Sequence, residues 1–160
     1  MSRRNQRLAW LGDVGRTTRF VADLVATVDL ERAVTGLRGG AVAGADRPTV
    51  TDPAAVVEDP LLGARIAVLT TEDGRQIALA EPSTEGWLAA TLARRGEGLV
   101  GAYWSVPVGL DVVRTMAAAA NIRLSRSATG PFGRSVLLLA EIPSSPLVIL
   151  VERLAVPSPP

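Results

Sequence analysis

Acid–base chemistry in this protein is restricted to very few kinds of side chain. The 160-residue sequence has no histidine, cysteine or lysine, so all 17 of its basic residues are arginines. These absences remove the usual general base and metal ligand, the thiolate nucleophile and the Schiff-base amine. Any proton transfer would therefore fall to Asp, to Glu or to the single tyrosine, Tyr103.

The charge balance and the hydropathy of the sequence limit the partners and the cellular location that we expect. The 17 basic residues nearly balance 16 acidic ones, which argues against nucleic acid or an anionic membrane as a partner. No apolar run approaches the ~20 residues that span a bilayer. The apolar segment 8–11 is also too short for a signal peptide. We therefore expect a soluble cytoplasmic protein, built as one domain or as two small modules sharing a core.

The second half of the chain has the clearer pattern of elements. Apolar alternation, a helical repeat ending at Asn121 and a glycine-broken hairpin predict the order strand, helix, strand, strand, strand. A loop is expected at residues 125–133. The predicted elements are strand 100–106, helix 110–121, strand 122–124 and the hairpin strands 135–140 and 147–152.

A weaker copy of this order occupies the first half. Residues 20–28 read as a strand, although the same residues also fit one face of a helix. Asp29 is positioned to cap a short helix, and Asp73-Gly74 between two apolar runs predicts a hairpin. Ser83 or Thr84 is expected to cap a connecting helix that carries Trp87. The remaining predicted elements are helix 29–37, strand 41–45, a helical turn at 53–58 and hairpin strands 65–71 and 75–80.

The two halves together resemble the vicinal oxygen chelate superfamily, which includes glyoxalase I, methylmalonyl-CoA epimerase and bleomycin resistance proteins. The resemblance is carried by Gly-Glu-Gly-Leu-Val-Gly-Ala-Tyr-Trp at 96–104 and by the closing hairpins of both halves, which end in Glu81 and Glu152. It implies an α+β fold with tandem βαβββ modules forming a curved mixed sheet around a cleft. The expected division is an N-terminal extension 1–19, modules 20–82 and 96–153, a connector 83–95 and a disordered tail 154–160.

The resemblance also indicates where a divalent metal ion would bind, and this chain departs from the pattern there. The four ligand positions of the metal-dependent members fall on Ala22 or its neighbour Asp23, on Ala78, on Gly101 or its neighbour Val100, and on Ile149. Only Asp23 could coordinate, and one carboxylate does not hold a first-row metal usefully. We therefore expect no metal and no other cofactor.

The same carry-over selects candidate residues for a cleft. Strand alternation from the ligand positions puts Tyr103, Ser105 and Gln76 on the cleft face as ligand-binding candidates, with Asp23 and Tyr103 as a candidate catalytic pair. Arg134 follows Gly133 near the strand mouth and is a candidate contact for an anionic ligand. Each of these residues also has a purely structural interpretation, as core filler or as a solvated surface group.

Three functions remain open. The first is metal-independent binding of a small, largely apolar organic molecule, with an isomerase, lyase or cyclase-type rearrangement as a further step. The second is non-catalytic drug sequestration by a homodimer, as in the bleomycin-resistance branch, and the third is a degenerate structural or regulatory module. A metal-dependent glyoxalase or epimerase is the least favoured alternative. A cleft filled by its own side chains would favour the third function.

Overall fold

Two copies of a strand–helix–three-strand unit form the body of the protein. The structure, a computed structural model, describes residues 7–38, 55–139 and 145–153. A 3₁₀ turn (Ala9–Leu11) precedes the helices α1 (Gly12–Thr17), α2 (Leu30–Arg38), α3 (Trp87–Arg95) and α4 (Leu110–Ala119). The strands are β1 (Arg19–Ala26), β2 (Val56–Asp59), β3 (Ala64–Thr70), β4 (Gln76–Pro82), β5 (Gly98–Val106), β6 (Arg123–Leu124), β7 (Ala128–Gly130), β8 (Gly133–Leu139) and β9 (Leu147–Glu152).

All the described strands belong to one curved mixed sheet. Its order is β2-β3-β4-β1-β5-β9-β8-β6, and β7 also pairs with β8. The two units join through the antiparallel pair β1–β5, while β1 runs parallel to β4 and β5 runs parallel to β9. The sheet curls far enough for β2 to contact β7 from the opposite end. The predicted α+β fold with two βαβββ units is confirmed.

Each helix of the repeated unit covers one half of the convex face. Helix α2 packs Leu30 against the first unit, and α4 packs Leu110 and Val113 against the second. The longest described helix, α4, has 10 residues. Within the described part of the chain, therefore, no helix is long and apolar enough to cross a membrane.

The terminal glutamate of each unit has the same structural role. The Leu30 backbone N–H at the start of α2 donates to Glu81 Oε2 at 2.8 Å, and the Leu110 N–H at the start of α4 donates to Glu152 Oε1 at 3.3 Å. An arginine on the neighbouring strand pairs with each carboxylate: Arg65 with Glu81 at 3.1 Å, and Arg134 with Glu152 at 3.6 Å. The carboxylates satisfy helix N–H groups that would otherwise lack partners.

We expect the substitution Glu81→Ala to lower the free energy of unfolding by about 1 kcal/mol, because it removes an acceptor from a helix N-terminus. Urea unfolding followed by circular dichroism measures this change. Glu72→Ala, in the exposed β3–β4 turn, is the matched control and should stay within about 0.5 kcal/mol of the parent. Equal losses in both variants would contradict the capping role.

Several predicted elements need correction. The helical turn expected at 53–58 is wrong over 56–58, where the backbone forms β2. The loop expected at 125–133 contains β7, and α3 begins after Gly86 without the side-chain cap expected from Ser83 or Thr84. Pairing across the curled sheet stabilises β2 and β7, and local sequence carries little sign of it. The strand predicted at 41–45 and the tail 154–160 lie outside the described residues.

Other predictions of local structure agree with the structure. Residues 19–26 form a strand and not a helix, and the Arg32 backbone N–H donates to Asp29 Oδ1 at 2.9 Å, as expected for a cap. Asn121 adopts a φ of 56° just beyond α4, a backbone conformation that Asn tolerates better than most residues.

Candidate functional site

The four positions that would hold a metal ion are buried on the concave face and carry no ligand atoms. Ala22, Ala78 and Ile149 are fully buried, and Gly101 lies beside Leu147. Methyl, hydrogen and sec-butyl groups cannot coordinate a divalent ion. The described residues also contain no group of three or more His, Cys, Asp or Glu able to hold one. The residues present at the family's metal position therefore do not fit a metal ion.

The concave face is occupied by the protein's own side chains. Tyr103, Leu137 and Ile149 are each at most 1% exposed and belong to one continuous apolar cluster. The Tyr103 and Phe132 rings meet edge to face, with centroids 4.8 Å apart. Among the described residues, this packing fills the concave face around Tyr103, where the resemblance implies a cleft.

Asp59 and Tyr103 form a buried carboxylate–phenol pair on the concave side of the curved sheet. The Tyr103 hydroxyl donates to Asp59 Oδ2 at 3.4 Å, and both residues are 1% exposed. Asp59 Oδ1 accepts the backbone N–H groups of Leu61 at 2.8 Å and Leu62 at 3.4 Å. A Cβ at Gly130 would lie 2.7 Å from Asp59 Oδ2, so glycine permits β7 to approach this closely. The pair thus links β2, β5 and β7 at one point.

Burial controls the protonation of this pair. Desolvation raises the pKa of Asp59, and the hydrogen bonds from Leu61, Leu62 and Tyr103 oppose that rise. Desolvation, followed by the charge of Asp59, raises the pKa of Tyr103 well above its ordinary value. A phenol with a raised pKa is a poor base near neutral pH, and neither group reaches solvent. The geometry therefore indicates a structural contact between β2 and β5.

Asp59 is the buried residue that sequence reasoning missed. The segment Asp59-Pro60-Leu-Leu-Gly63 is typical of a turn in which an Asp side chain accepts backbone N–H groups two and three residues later. That signal identifies the turn. Only the curl of the sheet brings the second carboxylate oxygen to Tyr103, 44 residues along the chain.

The structure places the predicted site residues on both faces of the sheet. Tyr103, Ser105 and Gln76 share the concave face, as strand alternation predicted, and the latter two are half-buried. Asp23 lies opposite Ala102 on the convex side, where its carboxylate pairs with Arg75 at 3.4 Å. The structure therefore does not bring Asp23 and Tyr103 together.

Arg134 also lies on the convex side, away from Tyr103. It pairs with Glu152, and its guanidinium donates to the Ser127 hydroxyl at 3.5 Å. The position corresponds to Arg65 of the first unit, which pairs with Glu81. A contact between Arg134 and a ligand stays a prediction, since Arg134 is 46% exposed and already holds the glutamate at the start of α4.

A cavity of about 410 Å³ opens on the convex side of the central strands. Strand alternation puts Ala102, Trp104 and Val148 on that face, and the half-exposed Leu99 joins them across a shift in register between Leu99 and Gly101. The described residues that line it are Arg7, Arg95, Leu99, Gly101, Ala102, Trp104, Pro146, Leu147 and Val148. Apolar walls with two guanidinium groups suit non-covalent binding of a small organic molecule. The alternation that predicts Tyr103 on the concave face also predicts Trp104 on the opposite face, but it does not predict a cavity there.

A second and more open groove lies outside the buried carboxylate–phenol pair. It runs between the turn after β2 and the segment before β7, with Trp87 exposed on one side and Arg126 on the other. Its lining is Pro60, Leu61, Trp87, Ser125, Arg126, Ser127 and Ala128. The convex cavity is more enclosed and offers more apolar surface, so it is the better candidate site.

Solved structures with this fold include several methylmalonyl-CoA epimerases. A variant of the Streptomyces coelicolor enzyme, in complex with 2-nitronate-propionyl-CoA, is 21% identical with a TM-score of 0.66, covering 86% of this chain and 98% of that chain. A methylmalonyl-CoA epimerase in complex with methylmalonyl-CoA and NH₄⁺ is 22% identical with a TM-score of 0.68, covering 89% and 99%. The Mycobacterium tuberculosis epimerase is 21% identical with a TM-score of 0.66, covering 84% and 87%.

No protein-family model and no curated protein sequence matches the chain. At these identities the structural likeness establishes the fold, and it does not transfer an activity. The similar epimerases belong to the vicinal oxygen chelate superfamily, which confirms the resemblance drawn from the sequence. The protein has the vicinal oxygen chelate fold.

Proposed function

We propose that this protein binds a small, largely apolar organic molecule in the convex cavity, without a metal ion. The observation that supports this function is the cavity itself. Its volume of about 410 Å³ lies within the usual range for small-molecule sites, about 300–1,000 Å³. Trp104 and Leu99 supply apolar surface, and the donors are guanidinium groups, which matches the composition of such sites.

The chemistry of the lining favours binding over catalysis. The described residues that line the cavity include no carboxylate, hydroxyl or phenol, and guanidinium groups stay protonated and do not act as bases. The Asp59–Tyr103 pair, which has suitable groups, is enclosed on the other face. The proposal is therefore close to the sequestering function considered from the sequence.

The expected homodimer is part of this proposal, and light scattering tests it.

A structural module without a ligand is the second candidate. The filled concave face favours it, because the site used by the fold's metal-dependent members is occupied here by Tyr103, Phe132 and Ile149. The two candidates differ in one measurable respect: a structural module has no reason to bind apolar molecules at the convex cavity.

Titration calorimetry with 2-naphthamide and 2-naphthoate tests the proposed function, since both probes are bicyclic and small enough for the cavity. We expect at least one probe to bind, and Ala102→Leu to weaken that binding about tenfold or more by filling the cavity. Loss of favourable contact worth about 1.4 kcal/mol gives that factor.

Ala118→Leu, on the exposed side of α4, is the matched control and should leave binding unchanged. Leu99→Gln is a second cavity variant at a half-exposed position, where folding should tolerate the change. Failure of both probes to bind the folded parent protein would contradict the proposal and favour the structural module.

A further inference from the structure

We infer that the ligand of the convex cavity is an organic anion, with a carboxylate or phosphate group held by Arg95 and Arg7 and an apolar body against Trp104 and Leu99. The inference rests on the proposed function and adds the charge of the ligand. The charges that line and surround the cavity support it.

The cavity wall carries positive charge from two separate parts of the chain. Arg7 precedes the 3₁₀ turn, and Arg95 ends α3. Among the described lining residues there is no acid to balance them. Within residues 7–38, 55–139 and 145–153, no carboxylate lies within 4.0 Å of either guanidinium. Two guanidinium groups facing a partly enclosed apolar space attract an anion.

Two acids that neighbour lining residues in the sheet or along the chain are bonded elsewhere. Asp23, opposite Ala102 in the sheet, pairs with Arg75. Glu97, two residues beyond Arg95, accepts the Thr27 hydroxyl and the Val28 backbone N–H, both at 2.8 Å. Neither carboxylate is therefore available as the counter-charge for the cavity arginines.

Burial of Arg7 makes an anionic partner favourable. Desolvation lowers the pKa of its guanidinium, and one of its N–H groups donates to the Pro146 carbonyl. A carbonyl satisfies one donor but leaves the charge uncompensated, and a partly desolvated charge without a counter-charge is destabilising. A carboxylate or phosphate in the cavity would supply the missing negative charge and accept further guanidinium donors.

Three probes with the same ring system test whether the charge of the head group determines the affinity. 2-Naphthoate, 2-naphthyl phosphate and neutral 2-naphthamide present the same bicyclic body with different head groups. We expect the anions to bind about tenfold tighter than the amide, as one charge-assisted contact of about 1.5 kcal/mol would give. The anion with the lower dissociation constant, the phosphate or the carboxylate, identifies the head group that the site prefers.

Arg95→Gln should weaken binding of the anions about tenfold and so remove most of their preference over the amide. Arg94→Gln is the control, because Arg94 is the adjacent exposed residue of α3 and does not line the cavity. Raising the salt concentration should weaken the anions alone. If the amide binds as tightly as the anions, or if Arg94→Gln and Arg95→Gln behave alike, the anion inference is wrong while the binding function stands. If no probe binds, both are wrong.

Discussion

Replacing Gly101 with alanine is expected to destabilise the protein strongly. A Cβ at this position would lie 2.4 Å from the Leu147 carbonyl oxygen and 2.7 Å from Leu147 Cβ, in the neighbouring strand β9. The backbone of β9 would have to move away from β5 at the centre of the sheet. Overpacking of this kind costs about 1–3 kcal/mol or more in free energy of unfolding. Thermal and urea unfolding of the variant measure the loss.

Gly36→Ala is the control for this experiment because it makes the same chemical change in open space. Gly36 lies within α2, is exposed, and a Cβ there would meet nothing within 4 Å. Alanine in a helix interior should raise stability by about 0.5–1 kcal/mol. We expect Gly101→Ala to lower the free energy of unfolding and Gly36→Ala to raise it. A Gly101→Ala variant as stable as the parent would show that β9 does not approach β5 as described.

The Gly101 prediction also bears on the missing metal site. Gly101 occupies the position where the second unit of a metal-dependent relative would contribute a first-strand ligand. Because β9 excludes even a methyl group there, histidine cannot be introduced without moving the strand. The departure from the metal-binding pattern therefore includes the backbone spacing, in addition to the absence of ligand side chains.

Replacing Asp59 is expected to have the second large effect, a loss of stability whose size depends on the substitute. Asp59→Ala leaves the buried Leu61 N–H and the Tyr103 hydroxyl without their acceptor. Each unsatisfied buried donor costs about 1–3 kcal/mol, so we expect a total loss of about 2–5 kcal/mol. Asp59→Asn keeps an oxygen for the turn and offers an amide donor to the phenol oxygen, so its loss should be much smaller.

The Asp59→Asn variant also has an expected dependence on pH. The folded-state pKa of Asp59 is raised above its ordinary value, so the folded protein holds this proton more tightly than the unfolded chain. Below the unfolded pKa both states are protonated and the charge has no effect. As pH rises from there through the raised folded pKa, the parent loses stability relative to Asp59→Asn, and the difference is constant above it.

Urea unfolding of parent and Asp59→Asn between acid and neutral pH measures this difference. Tyr103→Phe serves as a control that removes the phenol donor while keeping the carboxyl group buried. A stability difference between parent and Asp59→Asn that does not change with pH would contradict the raised pKa. Unfolding curves for Asp59→Ala that match the parent would contradict the link between β2 and β5.

Local sequence was sufficient to predict the repeated unit and its faces. Alternation along the predicted strand 100–106 put Tyr103 and Ser105 on one face and Trp104 on the other because side-chain direction repeats every two residues. The glutamates at 81 and 152 marked the ends of both units, and the structure explains them by the helix N-termini they satisfy. The absence of histidine and cysteine by itself removes two of the commonest metal ligands.

Tertiary structure alone decided which faces are open. The resemblance implies a cleft on the concave face, and around Tyr103 that face is filled because β7 contacts β2, which brings Asp59 and Phe132 against Tyr103. The convex cavity is assembled from residues 7, 95–104 and 146–148, which meet only after β5 pairs with β9 and the N-terminal turn packs. Composition and periodicity describe one segment at a time. Contacts between distant segments depend on the curvature and register of the whole sheet, which no local pattern encodes.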